Sequence, residues 1–175
     1  DKNRMLRRCS ILAPLDSRIY LQLGLGLKQS GHFEEASHQI RRLLILEPAN
    51  LDGVFQLANV LLDLKNPDGA KSFFLRTLQI APRSGTARNN LGLIAFENGN
   101  FDHAEEWFRA ATIAAPGLAE AWRNHARALT KLDREADALE PCKRSLMMEP
   151  ANQLACMDMA GILRTREWVK RVISL

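Results

Sequence analysis

Five polar residues recur at one fixed interval along the chain, and their side chains could bond a ligand. They follow the spacing i, i+34, i+68 and onward, and are Gln22, Gln56, Asn90, Asn124 and Asp158. Four of them carry a carboxamide, which has both hydrogen-bond donors and an acceptor. A row of such groups could bond the backbone of an extended peptide without reading its side chains. Asn59 and Asn89 lie beside the row and could extend it.

Cations form a second candidate group. Arg123, Arg127 and Lys131 are spaced i, i+4, i+8, so on a helix they project from one face. We expect Arg123 and Arg127 to lie near an acidic part of a bound segment. For both the amide row and the cations, the alternative is a polar face that only contacts solvent, and the sequence leaves that alternative open.

Side chains typical of catalysis or metal binding are not arranged for either task. His32 and His38 are six residues apart, a poor metal-binding spacing on a helix, and His103 and His125 are isolated. No phosphate-binding loop, nucleophile elbow or paired metal ligands occur. The sequence therefore predicts no catalytic residue, no metal site and no cofactor, and the chain is interpreted as not an enzyme.

Cysteine usage and bulk composition narrow the setting. An odd count of three, Cys9, Cys142 and Cys156, argues against a disulfide framework and favours buried thiols in a cytoplasmic protein. Of the 175 residues, 46% are hydrophobic and 25% charged, which is globular composition. The net charge of +4 is too small and dispersed to indicate nucleic acid. No apolar run is long enough to predict a membrane span.

The elements that position these residues follow an internal repeat. Prolines recur with the same interval as the polar row, at Pro14, Pro48, Pro82, Pro116 and Pro150. Small residues form two columns with the same period: Gly24, Ala58, Gly92, Ala126, Ala160; and Ala36, Ala70, Ala104, Ala138. Larger residues form three: Leu23, Leu57, Leu91, His125, Met159; Leu27, Leu61, Ala95, Leu129, Leu163; and Ile40, Phe74, Phe108, Cys142. Each unit is predicted to be two helices that approach closely at the small columns.

Local signals predict where the helices begin and end. In the third unit we expect helices over 86–97 and 101–114, joined by a turn at 98–100. Asn66 and Pro67 have the residue types of a helix cap and a first turn. Pro141 falls inside a predicted helix and indicates either a kink near 137–141 or a late helix start. The tetrapeptide EPAN, at 47–50 and 149–152, is interpreted as a joint between units whose Asn bonds local backbone.

The third unit resembles the tetratricopeptide repeat most closely. Its motif runs from Asn90-Leu91-Gly92 through Phe101, Ala104, Phe108 and Ala111 to Pro116. The resemblance implies an all-α fold, a right-handed α-solenoid of stacked antiparallel helix pairs with a concave groove. The implied organisation is one domain, 1–175. Its full repeats are 17–50, 51–84, 85–118 and 119–152, with a preceding second helix at 1–16 and a partial repeat or cap at 153–175.

The resemblance also implies a function, because family members generally bind peptides or protein surfaces and perform no chemistry. We expect a non-catalytic scaffold for protein–protein interaction that holds an extended peptide or helix in its groove. The alternative is the substrate-recruiting arm of a larger enzyme, similar to a glycosyltransferase or sulfotransferase, whose catalytic domain lies outside this chain. The clamp by which some members hold a chaperone tail is not expected, because Phe55, Glu120 and Asn124 stand where it needs cations.

Apolar residues near both ends predict a further interaction. Capping repeats normally present a polar outer face, whereas this chain has apolar residues at both ends: Met5, Leu6, Ile11, Trp168, Val169 and Ile173. We therefore expect self-association, or docking of a neighbouring domain, through these ends.

Overall fold

Helices make up the regular structure throughout the part of the chain that the structure describes. The structure, a computed structural model, describes residues 4–7 and 16–173, without the side chains of 156 and 165–173. The helices are α1 (Ser17–Gln29), α2 (Phe33–Leu46), α3 (Leu51–Asp63), α4 (Pro67–Ile80), α5 (Gly85–Glu97), α6 (Phe101–Ala114), α7 (Ala119–Lys131), α8 (Glu135–Met148) and α9 (Gln153–Ile173). The predicted all-α class is confirmed.

Stacked antiparallel helix pairs form two compact units. In the first, Asp1–Pro82, α1 pairs with α2 and α3 with α4, and α3 also packs against α1 and α2. In the second, Arg83–Leu175, α5 pairs with α6 and α7 with α8, while α7 packs against α5 and α6. Helix α9 packs against α7 and α8. The predicted repeat architecture of helix pairs is confirmed.

The turn inside each pair is a Schellman motif that recurs at the same position of every repeat. Its left-handed residue has φ 76° at Gly31, 58° at Lys65, 74° at Gly99 and 56° at Asp133. In the third pair, Asn100 N donates to Ala95 O at 2.9 Å and Gly99 N to Phe96 O at 3.0 Å. The turn and both helix spans expected around residue 99 are confirmed, with α5 starting one residue earlier.

Polar side chains cap the N-termini of most of the helices. Asn66 Oδ1 accepts from Gly69 N at 2.9 Å, with Pro67 in the first turn as predicted. In the first EPAN joint, Asn50 Oδ1 accepts from Gly53 N at 2.8 Å. Asn152 Oδ1 accepts from Ala155 N at 3.2 Å in the second. Both asparagines also donate to the glutamate three residues earlier, so the interpretation of EPAN as a structural joint is confirmed.

Close helix approach explains the small columns. A Cβ on Gly24 would lie 2.6 Å from Ile40 Cγ1, and one on Gly92 would lie 2.5 Å from Phe108 Cε1. Real Cβ atoms essentially never come this close to another heavy atom. The facing residues of the second helices are fully buried: Ala36, Ala70, Ala104 and Ala138. The core therefore lies along the seam between the two helices of each pair.

Pro141 does not delay its helix. Helix α8 begins at Glu135, in the same register as Phe33, Pro67 and Phe101, so the late start was wrong. Helix α8 continues through the buried Pro141 to Met148. The turn before it closes as in the other repeats, since Arg134 N donates to Leu129 O at 2.9 Å. This local turn sets the helix start, and the kink stays a prediction.

Helix α9 departs from the repeat. One helix covers Gln153–Ile173, in the segment that the resemblance implied to be a partial repeat or cap. The segment after Arg164 lacks the Gly, Asn or Pro residues that open a turn elsewhere in this chain. Consequently Leu163 is 47% exposed and Ala160 is exposed, although both continue core columns. No return helix covers them within the described residues.

The predicted apolar ends are described only in part. Met5 is 67% exposed and Leu6 is half-buried. Ile11 lies outside the described residues, as does most of the predicted helix at 1–16, and so do the side chains of Trp168, Val169 and Ile173. Over the described ranges, no helix combines the length and the apolar character needed to span a bilayer.

Candidate functional site

In the first unit, the side chains of the amide row and its neighbour Asn59 differ in solvent exposure. Gln22, on α1, is exposed, whereas Gln56 and Asn59, on α3, are half-buried. On the same two helices, Lys28 Nζ pairs with Asp63 Oδ2 at 3.6 Å. Equal register in the repeat therefore does not give these polar side chains equal access to a ligand.

In the second unit, two predicted site residues bond each other. Asn89 on α5 and Asn124 on α7 are 3% and 1% exposed. Asn124 Nδ2 donates to Asn89 Oδ1 at 3.0 Å. This bond joins neighbouring first helices, and the predicted peptide-binding role of the two amides stays a prediction. Asn90, the row member on α5, is half-buried.

Arg127 connects this amide pair to an aromatic residue. Its Nη1 donates to Asn124 Oδ1 at 3.4 Å, and its Cζ lies 4.9 Å from the centroid of the Phe96 ring. The Phe96 ring meets Phe101 edge-on, with centroids 5.1 Å apart. These contacts hold the guanidinium over the ring, where it is attracted electrostatically. Phe96, on α5, thus packs against Phe101 of α6 and against the guanidinium of Arg127 on α7.

A cavity of about 310 Å³ opens beside Arg127, on α5, α7 and α9. Its lining comprises Phe96, Arg127, Thr130, Lys131, Met157, Asp158, Gly161, Ile162 and Arg164. Three of these residues are cations and one is an anion. The structure thus brings Arg127, Lys131 and Arg164 to one site, whereas Arg123 does not line it.

Asp158, the last member of the amide row, is the acidic group of this cavity. Burial raises the pKa of its carboxyl group, and the charges of Arg127 and then Arg123 oppose that rise. Its Oδ2 is buried without a hydrogen-bond partner among the described residues. The carboxylate therefore has an unsatisfied acceptor beside the cavity.

Gly161 makes room for the cavity. Its equivalents in the two preceding repeats are Arg127 and Leu93, so this register position carries a larger side chain there. A Cβ on Gly161 would meet no atom within 4 Å. The sequence interpretation missed the cavity, along with Met157 and Thr130. A helical glycine in a column of larger residues is the signal that could have revealed it.

The remaining chemical candidates have structural or surface positions. His125 occupies its predicted core column, with Nε2 3.1 Å from Glu105 Oε1, and burial is the main cause of its lowered pKa. The other histidines are exposed: His32, His38 and His103. Cys142 is buried, with Sγ 3.7 Å from Ala155 O. Cys9 and the side chain of Cys156 lie outside the described residues. Among the described side chains, no group of three or more His, Cys, Asp or Glu could hold a metal.

Comparison with known proteins identifies the repeats. The model of the tetratricopeptide repeat family matches residues 21–84 and 55–119. Type IV pilus assembly protein PilF of Pseudomonas aeruginosa is 26% identical over 153 residues, covering 86% of this chain and 61% of that protein. The human cell division cycle protein 16 homolog is 33% identical over 92 residues, 47% of this chain and 15% of that protein. The chain thus spans about three fifths of PilF and a small part of the human protein.

Solved structures share the fold. The structure of Pseudomonas aeruginosa PilF matches with a TM-score of 0.77 and 26% identity, covering 87% of this chain and 70% of that chain. A crystal structure of MamA matches with a TM-score of 0.78 and 18% identity, covering 85% and 86%. The first repeat domain of Spaghetti (RPAP3), bound to an HSP90 peptide, has a TM-score of 0.63 and 18% identity, covering 65% and 93%. The last two likenesses bear on the fold alone.

Proposed function

The chain belongs to the tetratricopeptide repeat family, and from that premise we propose that it is a non-catalytic scaffold for protein–protein interaction. It binds an extended peptide, or a helix, of a partner protein along its first helices. The observation that carries this proposal is the cavity on α5, α7 and α9. There a preformed site brings three cations, a buried carboxylate oxygen and an aromatic ring together.

The geometry favours binding over catalysis. The guanidinium of Arg127 is engaged by Asn124 and Phe96. The buried His125 on α7 pairs with Glu105 on α6, and neither residue is among those that line the cavity. The hydroxyl of Thr130, in the described lining, donates to Ala126 O at 3.0 Å and not to a side-chain base. Such a surface supplies hydrogen bonds and charge, which are the means of recognition.

The amide row would contribute through its more accessible members. Gln22 is exposed, and Gln56 and Asn90 are half-buried, so their amides can reach a peptide backbone. Asn124 would act indirectly, by holding Arg127 and Asn89 in place.

The identity of the partner differs among the relatives. PilF is described as a pilus assembly protein and the human relative as a cell division cycle protein. The peptide in the RPAP3 complex comes from HSP90. These names support a shared interaction module and no common ligand. We propose a cytoplasmic location from the cysteine usage, and fractionation of cells that express the full-length protein would test it.

Affinity capture with the full-length protein tests the proposal. We expect partner proteins to be retained by the wild type and lost with the triple variant Gln22→Ala, Gln56→Ala, Asn90→Ala. Asn124 is left intact, because its removal would also break the buried bond to Asn89. Retention of the same partners at unchanged affinity would contradict a role for the amide row.

The alternative remains the recruiting arm of a larger enzyme. It predicts that the parent protein carries a catalytic domain, of glycosyltransferase or sulfotransferase type, outside these residues. The full-length coding sequence decides this directly, and a parent protein without such a domain would rule the alternative out.

A further inference from the structure

The cavity on α5, α7 and α9, here called the α7–α9 cavity, carries more positive than negative charge. Arg127, Lys131 and Arg164 line it, and among the described lining residues only Asp158 opposes them. Like charges brought together in a concave site repel one another until an anion enters. The balance of charge therefore selects an anionic group, with a formal excess of two positive charges in the lining.

The size and walls of the α7–α9 cavity indicate how large that group is. Its volume of about 310 Å³ lies at the lower end of the ~300–1,000 Å³ typical of small-molecule sites. Phe96, Met157 and Ile162 supply apolar wall. This combination has room for an acidic side chain together with the stretch of peptide backbone that carries it.

Part of the site is already ordered. Arg127 is held by its bond to Asn124 and its position over Phe96. A ligand that binds a fixed guanidinium does not have to immobilise a flexible side chain, which otherwise reduces affinity. The planar guanidinium also matches a carboxylate, which it can bond through two parallel N–H groups.

Asp158 adds a second requirement. Its buried Oδ2 has no hydrogen-bond partner among the described residues, and an N–H from the ligand would satisfy it once the carboxylate turns towards the cavity. A peptide supplies such a donor at every residue except proline. An acidic residue of a peptide thus offers both groups that the lining lacks: a carboxylate for the cations and a backbone N–H for Asp158.

From these observations we propose that the α7–α9 cavity is a specificity subsite that receives one aspartate or glutamate side chain of the bound partner segment. Its backbone N–H donates to Asp158, while its carboxylate meets Arg127, Lys131 and Arg164. This assignment rests on the proposed peptide-binding function and adds the chemistry of one residue of the partner. A phosphate dianion would also match the two excess positive charges of the lining, but it has no N–H to offer Asp158.

Blocked amino acids provide a direct probe of this subsite. Backbone amide NMR signals of the isotope-labelled chain would be followed during titration with N-acetyl-glutamate N-methylamide. Signals of α7 and α9 around the cavity should shift in a saturable way. The glutamine analogue, which has the same shape without the charge, should bind about tenfold more weakly, since hydrogen bonds to charged groups are the stronger class. Equal affinity of the two compounds would overturn the proposal.

Two further probes test what the backbone N–H and the carboxylate of the ligand each contribute to binding. Sodium acetate supplies a carboxylate without a backbone N–H, and it should bind more weakly than the blocked glutamate. Acetate binding as tightly would remove the role given to Asp158. Inorganic phosphate should also bind more weakly, and tighter binding would reassign the cavity to phosphorylated ligands or nucleic acid.

Gly161 offers a matched pair of variants. Gly161→Leu places a side chain in the open space of the cavity, and leucine favours a helix interior more than glycine does. Binding of the blocked glutamate should fall at least about tenfold, the change that corresponds to 1.4 kcal/mol. The control Ala160→Leu adds its bulk at the preceding, exposed position outside the lining and should bind like the wild type. Unchanged binding by Gly161→Leu would place the ligand elsewhere.

The same variant distinguishes failure of the subsite from failure of the proposed function. If Gly161→Leu abolishes glutamate binding while partners are still captured through the amide row, both proposals stand and the subsite contributes selectivity. If the wild type captures partners but ignores the blocked glutamate, only the subsite is overturned. If it captures no partner, the proposed function fails, and glutamate binding by NMR would then show an anion site without its assigned role.

Discussion

Asn124 Nδ2 donates to Asn89 Oδ1 at 3.0 Å, and this bond joins the first helices of two successive repeats inside the second unit. Both side chains are nearly inaccessible to solvent. Two residues of the predicted peptide-binding set therefore also join neighbouring repeats. Buried polar groups are stable in such a position only when they are bonded.

The Asn89–Asn124 bond predicts non-additive stability. Asn124→Ala leaves the Asn89 amide buried without its partner and should lower the free energy of unfolding by about 1–3 kcal/mol. The double variant Asn89→Ala, Asn124→Ala should lose less than the sum of the single losses. Urea unfolding followed by circular dichroism measures this. Gln22→Ala, at an exposed position, is the control, and strictly additive losses would contradict the coupling.

His32 marks a helix start that can be improved. The equivalent residues of the next two repeats, Asn66 and Asn100, cap their helices through side-chain oxygen, whereas His32 makes no such bond. Its backbone, at φ −88° and ψ 67°, is close to that of Asn100, at φ −89° and ψ 78°.

His32→Asn should therefore accept a bond from the backbone N–H of Glu35 and stabilise α2 by about 0.5–1 kcal/mol. Thermal unfolding would show the increase as a higher Tm. His32→Ala, which cannot cap, should show no gain, and an equal gain in both variants would mean that the cap is not the cause.

Substitutions at the left-handed position of the turn should change stability in opposite directions in two repeats. Gly99 has φ 74°, so Gly99→Ala should cost about 1 kcal/mol, the strain of an L-residue in this region. Lys65 has φ 58° at the same position of the preceding repeat. Lys65→Gly should relieve that strain and be neutral or stabilising, because added chain entropy offsets part of the gain. Thermal unfolding of both variants measures the two effects, and destabilisation by both substitutions would contradict the assignment.

The buried His125 predicts a loss of stability in mild acid. Burial lowers its folded-state pKa below 6.5, with Glu105 opposing this and Arg109 and Arg134 adding to it. Well above pH 6.5 the imidazole is neutral in both states and contributes no slope. As the pH falls below 6.5, the unfolded chain takes up a proton that the folded chain does not, so the free energy of unfolding decreases until the folded pKa is reached.

Urea unfolding between pH 8 and pH 5 measures this slope. His125→Leu, which restores the residue found at Leu23, Leu57 and Leu91 in the other repeats, should flatten the dependence in the range below pH 6.5. If the free energy of unfolding depended on pH equally in the wild type and the variant over that range, His125 would not be the cause of the dependence.

Much of the fold could be predicted because its determinants are local and repeated. Gly99 and Pro116 define the turn and the end of the third unit, and the structure places α5 and α6 within one residue of the predicted spans. Of the two alternatives predicted for Pro141, the late start of α8 is wrong. The Schellman turn before α8 sets its first residue, and the helix continues through Pro141. The exposure of Leu163 was missed because burial requires a covering helix, and α9 continues without turning back.

The candidate site was less predictable. Periodicity placed Asn124 and Asp158 in one row, but it could not show that one amide is buried in a bond to Asn89 and that the other residue lines a cavity. Spacing placed Arg127 and Lys131 on one helix face. Their meeting with Arg164 around one space depends on how α7 and α9 pack, and on Gly161 leaving that space open.

The sequence by itself determined the repeat, the helix pairs and their joints, since capping, left-handed turns and small-residue contacts act between residues close in the chain. Only the tertiary structure decided which polar residues are structural and which remain accessible. That outcome depends on side chains from helices that belong to different repeats and are distant in the chain. A register position common to all repeats can hold a buried amide in one and line a charged cavity in another.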